Sequence, residues 1–185
     1  MEKQKEAIEI DRHELLKISE ISLWLDTYDD IFSDFDPRPY HQRALSDDFL
    51  LEAKKASMDK NQGIELKFLI PKNKRNLTHE DLIKKRLREH FKKHLLSFKD
   101  ELKKMLRQGL YFVISGIIIM FFASLILFKA DDSLLFDFLV VFLEPAGWFL
   151  FWEGLGILVF EIKKKKPDLD FYDKMSKCDI VFIEY

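Results

Sequence analysis

The longest apolar run of the chain covers residues 110–128 and contains no charged residue. It reads LYFVISGIIIMFFASLILF, nineteen residues, which is close to the roughly 20 that a helix needs to cross the hydrocarbon core of a bilayer. Its small or weakly polar members are Ser115, Gly116 and Ser124, which membrane helices accept. A chain of 185 residues has little other material with which to bury such a helix. The run therefore predicts a membrane-crossing helix.

A second apolar run covers residues 133–160, which is longer than one crossing needs. We interpret residues 133–143 as an outer amphipathic or re-entrant piece. The second crossing is then predicted at about 143–160, with Pro145 in its first helical turn, where a proline is well tolerated. Together the two runs predict a helical hairpin over residues 109–162.

Two acidic residues interrupt the second run. Acids at membrane depth are costly and tend to face protein or water, so Glu144 and Glu153 are candidate intramembrane polar sites. They are nine residues apart, which puts them on opposite sides of a straight helix. We expect Glu144 to be interfacial. Glu153 lies deeper and suits an oligomer contact, a proton-sensitive group, or a structural bond to Ser115, Ser124 or the backbone.

The flanking charges predict the orientation of the hairpin. The first run is preceded by KKMLRQ and the second is followed by four lysines, Lys163 to Lys166, whereas the link at 129–133 carries one Lys and two Asp. Positive charge is retained on the cytoplasmic side of a membrane. We therefore expect a multi-pass protein of the inner membrane with both termini in the cytoplasm.

The remaining sequence predicts a small α/β domain. Strands are predicted at 21–25, 64–70 and 179–185 from their β-branched and aromatic content. Helices are predicted from Ser46 to Met58 and over residues 78–108, the latter with Thr78 as its N-cap and Asp81 completing a capping box. A further helix is predicted over residues 1–17.

The last strand follows the hairpin, so it must return to the strands that precede it. The fold class predicted is therefore an integral membrane helical hairpin inserted in a small cytosolic α/β domain with a long amphipathic helix. Its parts are a cytosolic region at 1–108, the hairpin at 109–162, and a cytosolic C-terminal segment at 163–185.

The long helix carries an apolar stripe and an excess of positive charge. Either the stripe packs on the domain's own sheet or it mediates self-association, as the transmembrane helices also could. Between Leu82 and Arg107 there are ten Lys and Arg against three acids, which favours anionic lipid headgroups as partners over nucleic acid. His90 and His94 are expected to be solvated. The stripe comprises Leu87, Phe91, Leu95, Phe98, Leu102 and Met105.

The loop between the first strand and the first helix is the main candidate for binding, because ligands often lie in such loops of α/β domains. Either it docks a ligand or partner, or its arginines and acids hold only the loop itself together. Asp34 and Asp36 could bind Mg²⁺. Asp-x-Asp after a strand is also found in phosphate-transferring hydrolases, although the usual Gly-Thr is missing here. The candidate residues are Asp30, Asp34, Asp36, Arg38 and Arg43.

The segments DDIFSDFDPRP, RALSDDFL and EPAGWFLFWEG resemble a group of small, uncharacterised prokaryotic membrane proteins with two crossings and a cytosolic α/β part. The resemblance covers most of the chain. It implies the topology derived above and brings no activity with it.

Composition adds two constraints. The formal net charge is −2 and there is one cysteine. An intramolecular disulfide is therefore impossible, as suits a reducing compartment.

The function expected is that of an oligomeric membrane protein with a cytosolic sensing or interaction domain, non-enzymatic and without a cofactor. The alternatives are a membrane-tethered, metal-dependent hydrolase using the Asp-rich loop, and a small channel or membrane-disrupting effector.

Overall fold

The computed structural model describes residues 21–58, 65–129 and 134–185. Within them the chain is mostly helical, with two long apolar helices and a small parallel sheet. The described residues divide into two compact units, an α/β unit up to Leu95 together with Asp170–Tyr185, and a helical unit at Leu96–Leu169. The helix predicted over residues 1–17 and the link between the apolar helices lie outside the described residues, except for Lys129.

Three strands form the sheet in the order β1-β2-β3, with both pairs parallel. They are β1 at Ile21–Trp24, β2 at Glu65–Ile70 and β3 at Asp179–Glu184. The central strand pairs with both neighbours, and Leu66 lies opposite Ile21 on one side and Ile180 on the other. The predicted strands are confirmed, and so is the return of the last strand to the sheet.

The described residues also form four α-helices. They are α1 at Asp47–Met58, α2 at Leu77–Lys129, α3 at Leu134–Gly156 and α4 at Ile162–Lys177. A π-helical turn, Ile157–Glu161, joins α3 to α4. Helix α4 was not predicted from the sequence, because its apolar residues are few and four lysines and Pro167 stand near its start.

The core of the α/β unit lies on one face of the sheet. Leu66, Phe68 and Ile70 of β2 alternate onto this face and are fully buried. The first part of α2 packs there through Ile83, Leu87 and Phe91, while α4 contributes Phe171 and Met175. The N-terminal part of the α2 stripe therefore serves the domain's own core, the first of the two roles considered for it.

Two details of the predicted helices are wrong. The N-cap of α2 is Asn76, whose Oδ1 accepts from the backbone N–H of His79 at 3.2 Å, rather than Thr78. The second apolar helix begins at Leu134, and Pro145 lies inside it rather than in its first turn. A proline removes one backbone hydrogen bond, and the apolar sequence on both sides of Pro145 continues the helix across that loss.

Four glycines bring α2 and α3 into contact in antiparallel orientation. A Cβ atom on Gly116 would lie 2.6 Å from the carbonyl oxygen of Gly147 and 2.7 Å from the backbone nitrogen of Phe151. A Cβ atom on Gly154 would lie 2.7 Å from the carbonyl oxygen of Gly109. The glycines are seven residues apart on each helix, the repeat that keeps one face of a helix against a neighbour. They let the two backbones touch, as small residues do in membrane helix pairs.

Candidate functional site

The loop between β1 and α1 is closed at its base by the backbone. Phe32 and Leu45 form an isolated antiparallel bridge, and the N–H of Ser33 donates to the carbonyl of Ala44 at 2.9 Å. Both bridge residues are buried in the core. Residues 33–44 are thereby held as an ordered excursion from the domain, with their polar side chains at its surface.

Asp36 organises the tip of this excursion. Its two carboxylate oxygens accept from Nε and Nη2 of Arg38 at 2.8 and 2.7 Å, and one of them also accepts from the N–H of Ala44 at 2.7 Å. Such a two-pronged pair fixes the geometry of both side chains. The Arg38 guanidinium and the Ala44 N–H hold the pKa of the Asp36 carboxyl well below its usual range.

Arg43 organises the other side of the excursion. Its Nη1 forms an ion pair with Asp29, and its Nε donates to the carbonyl of Ser33 at 3.1 Å. Asp34 lies 4.0 Å from Nη2 but its side chain is 91% exposed. The carbonyl of Arg43 in turn accepts from Nε of Arg86 at 3.0 Å, which ties the excursion to α2.

The five candidate residues of this loop therefore fall into three groups. Asp36 and Arg38 pair with each other, while Arg43 lies near Asp34 but bonds to Asp29. Asp30 is separate from both, because its carboxylate accepts from the backbone N–H groups of Asp26 and Thr27 at 2.7 and 2.9 Å. It caps the short 3-10 helix Tyr28–Ile31, a structural task.

An open cleft of about 330 Å³ lies between this loop and the start of α2. Its walls carry five side chains able to donate hydrogen bonds, and one acid, which Arg43 already engages. The Tyr40 and His79 rings meet edge to face at 5.2 Å and so join the loop to the helix. The lining residues are Asp29, Arg38, Pro39, Tyr40, His41, Arg43, His79 and Leu82.

Sequence reasoning missed Tyr40, His41 and His79 as parts of this site. The first two lie in the PRPYHQR segment between the two candidate arginines, so their position was a usable signal. His79 follows 36 residues after Arg43. Its place in the cleft depends on the packing of α2, and no local spacing reveals it.

A buried polar network lies next to the cleft. The Tyr28 hydroxyl donates to Oε1 of Glu80 at 3.1 Å and accepts from the N–H of Asn76 at 2.8 Å. Arg75 donates to both oxygens of Glu80 at 2.8 and 2.9 Å. Burial raises the pKa of the Glu80 carboxyl, but the hydrogen bonds from Arg75 and Tyr28 together outweigh it, so that the pKa is lowered.

The two proposed magnesium ligands, Asp34 and Asp36, have different surroundings. Asp36 is engaged by Arg38 and the Ala44 N–H, whereas Asp34 points into solvent. Among residues 21–58, 65–129 and 134–185, no three His, Cys, Asp or Glu side chains are grouped so that they could share an ion.

A second cluster of titratable groups lies on α2 and α4. His90 and His94 are half-buried, their ring centroids are 4.2 Å apart, and His94 stacks on Tyr172 at 5.3 Å. The expectation that both histidines are solvated is wrong, because both are half-buried and Tyr172 of α4, a helix that the sequence did not predict, stacks on His94. Burial lowers the pKa of His90 to about 4, with further contributions from His94, Arg86 and Lys93.

Glu144 and Glu153 both lie on α3. Since α3 begins at Leu134, Glu144 is ten residues inside the helix, about 15 Å from its start at 1.5 Å per residue. It therefore lies inside α3 and not at its start, and its interfacial position stays a prediction. Both carboxylates are exposed on the surface of the helical unit, and neither bonds to any residue in the described part of the chain.

The sequence matches no protein-family model, and neither the curated proteins nor the solved structures contain a significant match to the chain.

Proposed function

We propose that this chain is an oligomeric integral membrane protein of the inner membrane, with both termini in the cytoplasm and a cytosolic α/β unit that binds a ligand or partner in the cleft lined by Arg43 and His79. Helices α2 and α3 would cross the bilayer as a hairpin, and α1, the sheet and α4 would lie on the cytoplasmic side.

The exposure of the two apolar helices carries the membrane part of the proposal. In each, only 11% of the most apolar 18-residue stretch is buried. A core helix of a soluble protein would bury most of such a surface, whereas lipid solvates it without cost. Large side chains project outward from both helices, for example Ile117, Phe121, Phe142 and Phe149, which are 50–67% exposed.

The charges at the ends of the apolar stretches support the orientation. Lys103, Lys104 and Arg107 precede the apolar stretch of α2, and Lys163 to Lys166 follow that of α3. These side chains are mostly exposed, although Lys165 pairs with Glu101 at 2.8 Å. Basic residues near the cytoplasmic leaflet also favour contact with anionic lipid headgroups, by about 1 kcal/mol per residue.

The donors in the cleft support the binding part of the proposal. A volume of about 330 Å³ suits a small ligand or one side chain of a partner. Two arginines, two histidines and a tyrosine offer N–H and O–H groups, and the one acid among the lining residues is paired. The complementary ligand is thus a hydrogen-bond acceptor, such as a phosphate or carboxylate group.

One experiment with two arms tests this function. The chain should stay in the membrane after alkaline carbonate extraction, and reporters fused before Met1 and after Tyr185 should both report the cytoplasm. In a Cys178→Ser background, Asp131→Cys should be labelled from outside intact cells, whereas Lys72→Cys should be labelled only after permeabilisation. Extraction by carbonate, or a periplasmic signal at either terminus, would refute the membrane part.

The second arm concerns the cleft. Phosphate- and carboxylate-bearing probes, beginning with pyrophosphate, are added to the purified chain in detergent and its thermal unfolding is followed. A stabilising probe should lose its effect in Arg38→Gln and His79→Ala, while Lys74→Gln, which changes an exposed residue outside the cleft, should respond like the wild type. An equal response in all variants would exclude the cleft as the binding site.

A further inference from the structure

The sheet has a second face, whose apolar side chains lie outside the core of the α/β unit. Strand residues alternate between the two faces, so Leu69 and its register neighbours Trp24 and Ile183 lie on the face opposite to Phe68. The rings of Trp24 and Tyr185 come from the two outer strands, yet their centroids are 4.3 Å apart, so they meet across β2. None of the apolar residues of this face belongs to the core cluster of the described residues. They are Trp24, Leu69, Val181, Ile183 and Tyr185.

The strand order puts both helical connections on the first face. The strands are parallel and run in the order β1-β2-β3, so both connections cross in the same direction, and right-handed crossovers then lie on the same side of the sheet. Phe49 of α1 packs on Phe68 at 5.9 Å. Nζ of Lys84 in α2 lies 5.7 Å from the ring of Phe182, the register neighbour of Phe68. Parallel sheets are normally covered on both faces, so the second face needs a cover that these two connections do not supply.

Residues 1–17, which lie outside the described residues, are the segment of this chain best placed to supply that cover. Strand β1 begins at Ile21, so only residues 18–20 separate the sheet from the helix that the sequence predicts over 1–17. A link of this length places a helix beside the strand into which it leads, and α1 already packs against β1 on the first face. A helix of 17 residues is about 26 Å long, whereas the six residues of β2 extend over about 20 Å. The helix is therefore long enough to span the face.

The sequence of this segment provides an apolar side for such a contact. Ile8 and Leu15 are seven residues apart, so they lie within about 20° of each other round a helix. The opposite side carries Glu6 and His13, with Ile10 as the apolar exception. One side of the predicted helix therefore suits an apolar sheet face, and the other suits water.

We propose that residues 1–17 form this helix and dock on the second face of the sheet, with Ile8 packed near Ile183. The short link makes the helix run antiparallel to the strands, so Ile8, nine residues before Lys17, lies about 14 Å from the link. Trp24 and its neighbour Ile183 are about 10 Å from the start of the strands, close to the same level. The contact lies within the α/β unit and does not depend on whether α2 and α3 cross a bilayer.

The first test is a disulfide within one chain. Ile8→Cys and Ile183→Cys are introduced together in a Cys178→Ser background, and the purified full chain is oxidised in detergent. We expect both thiols to be lost in the monomer, because the two side chains are in contact and within the reach of a disulfide. Ile10→Cys with Ile183→Cys is the matched control and should keep its thiols, since Ile10 lies about 160° from Ile8 round the helix.

The second test measures how well the segment protects the sheet face. Ile183→Cys alone, in the Cys178→Ser background, is labelled with a maleimide, which reacts only with the undocked fraction. The labelling rate should rise at least tenfold when Ile8→Asp is added, because docking would bury a carboxylate without a partner. Ile10→Asp makes the same substitution two residues away and should leave the rate unchanged. Deletion of residues 1–17 should give the highest rate.

Each alternative occupant predicts a different outcome. Equal labelling rates in the Ile8→Asp and Ile10→Asp variants would overturn the inference, and so would free thiols in both cysteine pairs. A disulfide that joins two chains would show that a second copy covers this face instead. Should Ile8→Asp fail to fold, the comparison of the two cysteine pairs still decides, because neither introduces a charge.

Discussion

Replacing Arg75 by methionine should destabilise the α/β unit strongly, because it isolates a buried charge. Glu80 is 2% exposed and receives two hydrogen bonds from Arg75, at 2.8 and 2.9 Å. Removing one partner of a buried ion pair costs about 3–5 kcal/mol. Arg75 is 24% exposed and Tyr28 continues to donate to Glu80, so we expect a loss at the lower end, about 3 kcal/mol.

The companion variant Arg75→Met with Glu80→Met should recover most of that loss. It removes the charge together with its partner, and it leaves the Tyr28 hydroxyl with the Asn76 carbonyl, 3.5 Å away, as its acceptor, at a cost of about 1 kcal/mol or less. The Tyr28 oxygen still accepts from the N–H of Asn76. The double variant should therefore unfold at a higher urea concentration than the single one.

The assay is urea unfolding of the full chain in detergent, followed by fluorescence of Trp24 in a Trp148→Phe, Trp152→Phe background. Trp24 lies in β1 with its ring 4.3 Å from that of Tyr185, so it reports on the sheet. Lys72→Met is the matched control. It also replaces a positive charge by methionine, but it breaks an exposed ion pair, with Glu184, and should change the free energy of unfolding by less than about 1 kcal/mol. If Arg75→Met were no worse than this control, or if the double variant were as unstable as the single one, the buried-charge argument would be refuted.

Two further changes test other parts of the structure. Gly116→Leu should separate α2 from α3, because its Cβ would lie 2.6 Å from a backbone oxygen. The expected loss of stability, measured by SDS unfolding, is about 2 kcal/mol or more. Gly156→Leu is the control and should have little effect, since nothing lies within 4 Å of a Cβ atom there. The stability of the α/β unit should fall as the pH drops from about 6.5 toward 4, since the lowered pKa of His90 means that the unfolded chain binds the proton first. Exposure to solvent reduces the expected loss to about 1 kcal/mol between pH 7 and 5, and His90→Phe should flatten this part of the urea-unfolding profile. Equal pH profiles of stability for the wild type and His90→Phe would contradict the assignment of this pH dependence to His90.

The elements that the sequence predicted correctly are those whose signal is local. The strands at Ile21–Trp24, Glu65–Ile70 and Asp179–Glu184 are short and rich in β-branched, aromatic and other apolar residues, which is a signal that needs no knowledge of the rest of the chain. The apolar run at 110–128 likewise predicts a helix without reference to the rest of the chain. The last strand could be assigned to the sheet because an isolated strand has no other way to satisfy its backbone.

The errors arose where distant packing or competing signals decide the structure. Pro145 is a local helix-start signal, but the apolar helix around it extends in both directions and includes the proline. The seven-residue spacing of Gly109 with Gly116 and of Gly147 with Gly154 is visible in the sequence, yet it has meaning only once the two helices are known to be antiparallel neighbours. In the cleft, the loop acids and arginines carried a local signal, whereas His79 reaches the site only through the tertiary packing of α2.

The position of the hairpin in the chain has a consequence for how the α/β unit forms. The central strand β2 pairs with β1 on one edge and, on the other, with β3, which is synthesised after both apolar helices. Until β3 arrives, the second edge of β2 has unpaired N–H and C=O groups, and the core lacks Ile180 and Phe182. Since α4 also supplies Phe171 and Met175 to that core, the unit cannot be complete while the hairpin is unfinished. Non-local pairing of this kind is slow to form. If the hairpin inserts as proposed, a folded cleft therefore exists only on chains whose apolar helices have already been made.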